Sequence, residues 1–310
     1  MDRLSALAKE GRPFLFVISY DKSEVFAEPL DRLPPDIRVS FKKGPGAGYP
    51  PPRMRKKPVP FATYSDAFKK VIEQIEAGNT YLLNLTFPTP IEIDLSLEQI
   101  YERANAPFKL LFKNRFVCFS PEPFVTIEND TISTFPMKGT IDASIPDAAQ
   151  KIMADEKEMA EHVMVVDLLR NDLGIVAERV RVKKFRYIES IVTADKTLLQ
   201  VSSHIEAKLK SDWPSRLGAI IDSLLPAGSI TGTPKKRTCE IIESIESHKR
   251  GFFTGVFGVC DGRSLWSAVM IRYIEQTPLG PVYKSGGGIT IDSDPESEYR
   301  ELIDKVYFPL

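Results

Sequence analysis

The 310-residue sequence has little of what builds redox and soft-metal centres. Its three cysteines, Cys118, Cys239 and Cys260, are scattered, and none has a Cys-x-x-Cys partner. An odd, dispersed set excludes a disulfide framework and reads as reduced structural thiols in a cytoplasmic protein. The three histidines, His162, His204 and His248, stand apart, so no His/Cys cluster offers itself to zinc. No apolar run is long enough to span a bilayer. Residues 1–12 lack the apolar core of a secretory signal. A formal net charge of -1 leaves no electrostatic footprint for nucleic acid or an anionic membrane. There is no internal repeat.

What is present is a hydrophobic fraction of 43%, enough for a sizeable core in one large unit spanning residues 1–310. Residues 14–19 read as a buried strand. Residues 42–60, rich in Pro, Gly, Lys and Arg, read as a loop. A helix is expected over 64–78, with Phe68, Val71, Ile72 and Ile75 on one face, then a strand over 80–86 and a short helix over 96–104. Four short strands between 108 and 136, separated by Asn114-Arg115, Pro121-Glu122-Pro123 and Glu128-Asn129-Asp130, fit an antiparallel meander. A long helix should begin at Asp147, run to about Arg170 and stop by Gly174, with Met159, Val163, Val166 and Leu169 as its core stripe. Strands follow beyond 180 and over 197–205, with a helix over 215–224. A Gly/Ser/Thr loop then feeds a helix capped by Thr233, with Pro234 at its first turn. Strands over 254–260 and 267–273 complete this part, the second ending in Arg272, a lone cation that calls for an anionic partner.

The stretch richest in chemistry is 286–305. Gly286, Gly287 and Gly288 let backbone approach a ligand closely. Asp294-Pro295 is a helix start, and the helix carries Glu298, Glu301 and Lys305 at i, i+3 and i+7, on one face. A solvated helix face has the same spacing. The helix after Asp147 holds a second Glu-x-x-Glu pair, Glu158 and Glu161. Two such pairs facing one another would suit Mg²⁺, which takes carboxylates and keeps water in its shell. Lys138, next to Gly139, reads as a surface turn residue unless its pKa is lowered as a nucleophile requires.

Together, Ser120-Pro-Glu-Pro-Phe124, Pro136-Met-Lys-Gly-Thr140, the run 158–174, Gly228-Ser-Ile-Thr-Gly-Thr-Pro-Lys235, Gly255-Val-Phe-Gly258, Ile271-Arg272 and the run 286–305 resemble the chorismate-utilising enzymes. These include anthranilate, aminodeoxychorismate, isochorismate and salicylate synthases. The resemblance covers roughly residues 64–310. It implies an α+β fold, two layered antiparallel sheets flanked by helices with a central active-site cleft, and a shortened N-terminal part. It implies chorismate as substrate and Mg²⁺ on its ring carboxylate, with Glu161 and Glu301 binding the ion directly and Glu158 and Glu298 through water. Arg272, Lys305, Thr231 and the amides of Gly286 to Gly288 match the substrate-binding set. Glu122 matches the acid that protonates the departing C4 hydroxyl.

Anthranilate synthases have Ala where this chain has Lys138. In aminodeoxychorismate synthases a lysine there attacks C2 of the ring, and ammonia then adds at C4 and expels it. The resemblance therefore implies 4-amino-4-deoxychorismate as product, for p-aminobenzoate and folate synthesis. The alternatives are anthranilate synthase component I and a non-catalytic chorismate-binding or scaffolding homologue. Gln200 replaces a histidine of members that eliminate pyruvate, and Phe253 replaces a substrate-binding tyrosine. Asn84 is the only polar group inside a strand where water-activating members carry lysine. No Gly-x-Cys-x-Gly motif surrounds any cysteine, so ammonia is expected from a separate glutamine amidotransferase subunit. The tryptophan-site Leu-Leu-Glu-Ser pattern is absent, so feedback inhibition is not expected.

Overall fold

Strand Phe14–Ile18 alternates between apolar residues of opposite facing and is buried on both sides. Phe14, Phe16 and Ile18 of the strand Phe14–Ile18 enter one apolar cluster, while Leu15 and Val17 enter another. The computed structural model describes residues 1–42, 52–192 and 197–309. It has two antiparallel sheets with helices outside both, the α+β arrangement expected.

The first sheet runs in the order Met137–Asp142, Thr197–Lys208, Thr131–Thr134, Pro123–Glu128, Ser264–Val269, Val256–Cys260, Phe14–Ile18, Val25–Pro29. Glu178–Val192 also pairs with Thr197–Lys208. The second runs Gly232–Thr233, Leu82–Ile93, Gly280–Ile289, Tyr273–Thr277, Phe116–Ser120, Phe108–Phe112, Ile37–Ser40. Leu15, Val17, Phe257 and Ala268 of the first sheet meet Leu110, Phe112, Phe116 and Tyr273 of the second in a shared core. Helices Asp2–Glu10, Glu156–Val176 and Trp213–Leu224 close over the far face of the first sheet. Helices Phe61–Glu76, Lys235–Ile245 and Pro295–Asp304 close over the second.

The expected meander is two hairpins in different sheets. Phe108–Phe112 and Phe116–Ser120 belong to the second sheet, Pro123–Glu128 and Thr131–Thr134 to the first. The chain crosses over at Pro121-Glu122, where the prolines remove ladder donors. The expected strand over 267–273 splits in the same way, into Ser264–Val269 and Tyr273–Thr277, with Arg272 at φ 52° between them. The crossings lie side by side: Val269 N donates to Glu122 O at 3.2 Å, and Phe119 N to Arg272 O at 3.1 Å. Two residues of the candidate site therefore sit where strands change sheets.

Other boundaries also differ. The helix expected after Asp147 is two, Ala148–Ala154 and Glu156–Val176, broken at Asp155, whose carboxylate caps Glu158 N at 2.9 Å. Gly174 lies within the second. Its buried face is not the expected stripe: Val166 and Leu169 are buried, but Met159 and Val163 are 43% and 46% exposed. Glu161, His162 and Asp172 turn inward instead. The glycine run forms no turn; it continues the strand Gly280–Ile289. Thr233 lies in a two-residue strand and gives helix Lys235–Ile245 no side-chain cap. The helix expected from 64 starts at Phe61, and the strand expected over 80–86 continues to Ile93. Of the expected loop 42–60, residues 43–51 lie outside the described residues, while Met54–Lys56 is a strand paired with Leu82–Ile93.

Candidate active site

Helix Pro295–Asp304 begins where expected, with the Asp294 carboxylate accepting Ser297 N at 2.8 Å. Its charged face lies against the glycine strand, paired as Gly286 with Thr86, Gly287 with Leu85 and Gly288 with Asn84. A Cβ on Gly287 would sit 3.5 Å from Glu298 Oε2 and 3.7 Å from Lys305 Nζ, so the helix presents these groups onto bare backbone. Lys305 Nζ pairs with Glu301 at 2.6 Å and donates to Gly286 O at 2.9 Å. Ser293 Oγ donates to Glu298 Oε1 at 2.8 Å.

The other Glu pair comes from the far layer. Lys138, on the strand Met137–Asp142, places Nζ 2.5 Å from Glu161 Oε2; the lysine side chain is 30% exposed and the glutamate 8%. Gly139, at φ 86°, brings the backbone close beneath Glu158, whose Oε2 would lie 3.1 Å from an added Cβ. That oxygen is buried and has no hydrogen-bond partner. Lys138 is thus no surface turn residue.

Electrostatics ties the two halves together. Burial acts to lower the Lys138 pKa, but Glu161, Glu158 and Glu301 outweigh it and hold the pKa above the ordinary lysine value, the opposite of the lowering expected of a nucleophile. Burial raises Glu158, and Glu161 adds to the rise against Lys138. Burial likewise raises Glu298, with Glu301 reinforcing it and Lys138 opposing. Burial opposes ionisation of Glu301 too, yet Lys305, Lys138 and Arg272 keep its pKa low. All four glutamates therefore act on one ammonium. Burial lowers Lys305 despite Glu301.

Glu122, Arg272 and Ser229 form a neighbouring group, coupled to the first through Lys305 and Glu301. Glu122 is half-buried, and burial raises its pKa against the Ser229 hydroxyl, Arg272 and Lys305. The Ser229 hydroxyl donates to Glu122 Oε1. Arg272 has no ion-pair partner among the described residues, and its guanidinium lies 5.2 Å from the Tyr307 ring centroid. Sequence patterning points to neither Ser229 nor Tyr307. The first sits in a motif but has no charge to draw notice, and the second lies beyond the helix, where no periodicity applies. Thr231 does not join the cleft. It is buried, and its hydroxyl donates to Ala227 O at 2.9 Å within its own turn. Phe253 is core, 5.8 Å from the Tyr273 ring, and Gln200 pairs opposite Thr140, two residues from Lys138.

Among the described residues no three His, Cys, Asp or Glu side chains converge tightly enough to hold a metal ion unaided. The donor set still has the chemistry of a hard-cation site. It offers carboxylates in two pairs, one with a buried unpartnered oxygen, and Mg²⁺ needs only one or two protein carboxylates when water and substrate oxygens complete its shell.

Residues 40–310 match the family of chorismate binding enzymes. The chain belongs to that family. A Haemophilus influenzae protein described as an uncharacterized PabA-like protein is 46% identical over 100% of this chain and 96% of its own. Aminodeoxychorismate synthase component 1 of Bacillus subtilis is 32% identical over 79% of this chain and 54% of its own, so the chain spans about half that synthase. Anthranilate synthase component 1 proteins match about as closely, so overall similarity does not separate the two activities. Among solved structures, anthranilate synthase component I from Streptococcus pneumoniae shares the fold, with a TM-score of 0.69 and 24% identity over 83% of this chain and 59% of that one.

The bare strand gives the family site a direct test. Gly287→Ala adds a methyl at ordinary contact distance from Glu298 and Lys305, so the protein should fold with its melting temperature unchanged. On the expectation that substrate approaches this backbone, chorismate binding should weaken, with KM up roughly tenfold and kcat less affected. Steady-state kinetics beside thermal unfolding checks this.

Proposed function

We propose that the protein aminates chorismate at C4, giving 4-amino-4-deoxychorismate for p-aminobenzoate and folate synthesis, with Lys138 as covalent nucleophile. The observation that carries this reading is the placement of Lys138: its ammonium is paired with the buried Glu161 and acted on by all four glutamates. Arg272 and Lys305 would take the substrate carboxylates, beside the exposed backbone of Gly286 to Gly288.

The reaction balances as two substitutions. Lys138 Nζ, once deprotonated, attacks C2 of the ring. The ring double bond shifts, the C4–oxygen bond breaks, and Glu122 gives its proton to the departing hydroxyl, which leaves as water. Ammonia then forms a bond to C4, the double bond returns, and the C2–Nζ bond breaks, releasing the lysine. A carboxyl with a raised pKa keeps its proton for that first step. Glu161 and Glu301, with Glu158 and Glu298 behind them, would hold Mg²⁺, which when bound neutralises charge on the ring carboxylate. A partner glutamine amidotransferase would supply the ammonia.

Product identification tests the reading. Chorismate, Mg²⁺ and ammonium should give a product with the mass of aminodeoxychorismate, converted to p-aminobenzoate only after an aminodeoxychorismate lyase is added. A fluorescent product formed without the lyase would identify anthranilate and overturn the assignment.

A further inference from the structure

Ser229 lies in the turn Gly228–Ile230, which the fold braces from several sides. Beneath Gly228 is the Asp172 carboxylate, its Oδ2 3.0 Å from where a Cβ would stand, so the turn packs tightly on it. Asp172 is held in place by Lys235, whose Nζ lies 2.7 Å from it and also donates to Leu224 O at 3.0 Å. Arg250 fixes the next carbonyl, donating to Ile230 O at 2.8 Å. None of these groups reaches the cleft. Their common product is a rigid turn that aims one hydroxyl at Glu122.

Glu122 is held from its other side by its own backbone. Its N–H donates to Ser120 Oγ at 3.1 Å, and its carbonyl accepts Val269 N at 3.2 Å. With the backbone pinned at the sheet crossing and Oε1 accepting the Ser229 hydroxyl, the carboxyl has little freedom to rotate. No described group takes Oε2.

We propose that Ser229 is a positioning residue: by occupying Oε1 it confines the acid's proton to Oε2, the oxygen turned to the departing group, and the Asp172–Lys235 pair holds the turn that carries it. The inference rests on the reading of Glu122 as the acid. A carboxyl free to rotate would present its proton in two orientations, only one productive; a fixed one meets the leaving hydroxyl each time.

The test uses the full chain with chorismate, Mg²⁺ and a fixed concentration of free ammonia. Ser229→Ala should lower kcat about tenfold with chorismate KM little changed. The upper end of its rising pH limb should move to higher pH, because a hydrogen bond favouring the carboxylate has gone. Ser229→Thr, which keeps the hydroxyl, should restore both the rate and the limb. An unmoved limb in Ser229→Ala, or equal losses in the two variants, would overturn the proposal, and circular dichroism melting excludes simple unfolding as the cause. Glu122→Gln separates the underlying reading. If it retains normal kcat, Glu122 is not the acid at all. If it is inactive while the Ser229→Ala limb stays put, only the role of Ser229 fails.

Discussion

Replacing Lys138 with alanine is expected to cut amination of chorismate at least about 10³-fold and to abolish any covalent adduct. The reasoning starts from the ion pair with Glu161. A lysine serving only to neutralise a buried carboxylate could be replaced by any cation of similar reach. A nucleophile could not. Lys138→Arg separates the roles, because guanidinium keeps the charge opposite Glu161 but does not deprotonate in the working range. The arginine variant should therefore fold as well as the parent and be as inactive as the alanine variant. Intact-mass measurement supplies the direct readout: without ammonia, the parent enzyme should gain the mass of chorismate less water, and neither variant should. Amination at the parent rate by Lys138→Arg would rule out the covalent route. The raised Lys138 pKa also sets the pH dependence. Its free amine is favoured as pH rises, so the rate should climb with pH until loss of the Glu122 proton limits it.

Local signals in the chain are legible where the chemistry is local. Asp294-Pro295 marks a helix start from two residues, and the i, i+3, i+7 spacing then places Glu298, Glu301 and Lys305 on one face whatever lies opposite. Ser96 does the same for helix Leu97–Arg103, through a capping box with Gln99. What alternation cannot say is which sheet a strand joins. Phe116–Ser120 and Pro123–Glu128 look like neighbours in one meander, and only the tertiary structure separates them. The misread stripe on Glu156–Val176 has a related cause. Hydrophobic periodicity assumes that the buried face is apolar, and here it carries Glu161, His162 and Asp172, each met by a polar partner: Lys138, Ser203 and Lys235. Lys138 shows the limit most clearly. Beside a glycine it has the sequence context of a surface turn, and its meaning comes from glutamates on helices belonging to opposite layers of the fold.

Stripping divalent cations is expected to remove essentially all amination, and Mg²⁺ to restore it. Four carboxylates share this cleft, and the substrate would add two more. Glu158 and Glu298 already have raised pKa values, from burial first and from their neighbouring carboxylates second. Bringing a dianionic ring beside them without a compensating cation sets like charges together where water is scarce, and carboxylates in that position protonate instead of binding. Lys138 is the cation now answering Glu161, so it competes with any ion bound there. Removing it should then strengthen metal binding: Lys138→Ala should bind Mg²⁺ several-fold more tightly by calorimetry, although it is inactive. Affinity in both proteins should fall as pH drops, since Glu158 and Glu298 take up protons earlier than ordinary glutamates. Full activity in chelator would remove the metal from the reaction. Weaker Mg²⁺ binding by Lys138→Ala would show that the ammonium and the ion do not share Glu161. Either outcome would leave the two glutamate pairs as a frame for the lysine alone.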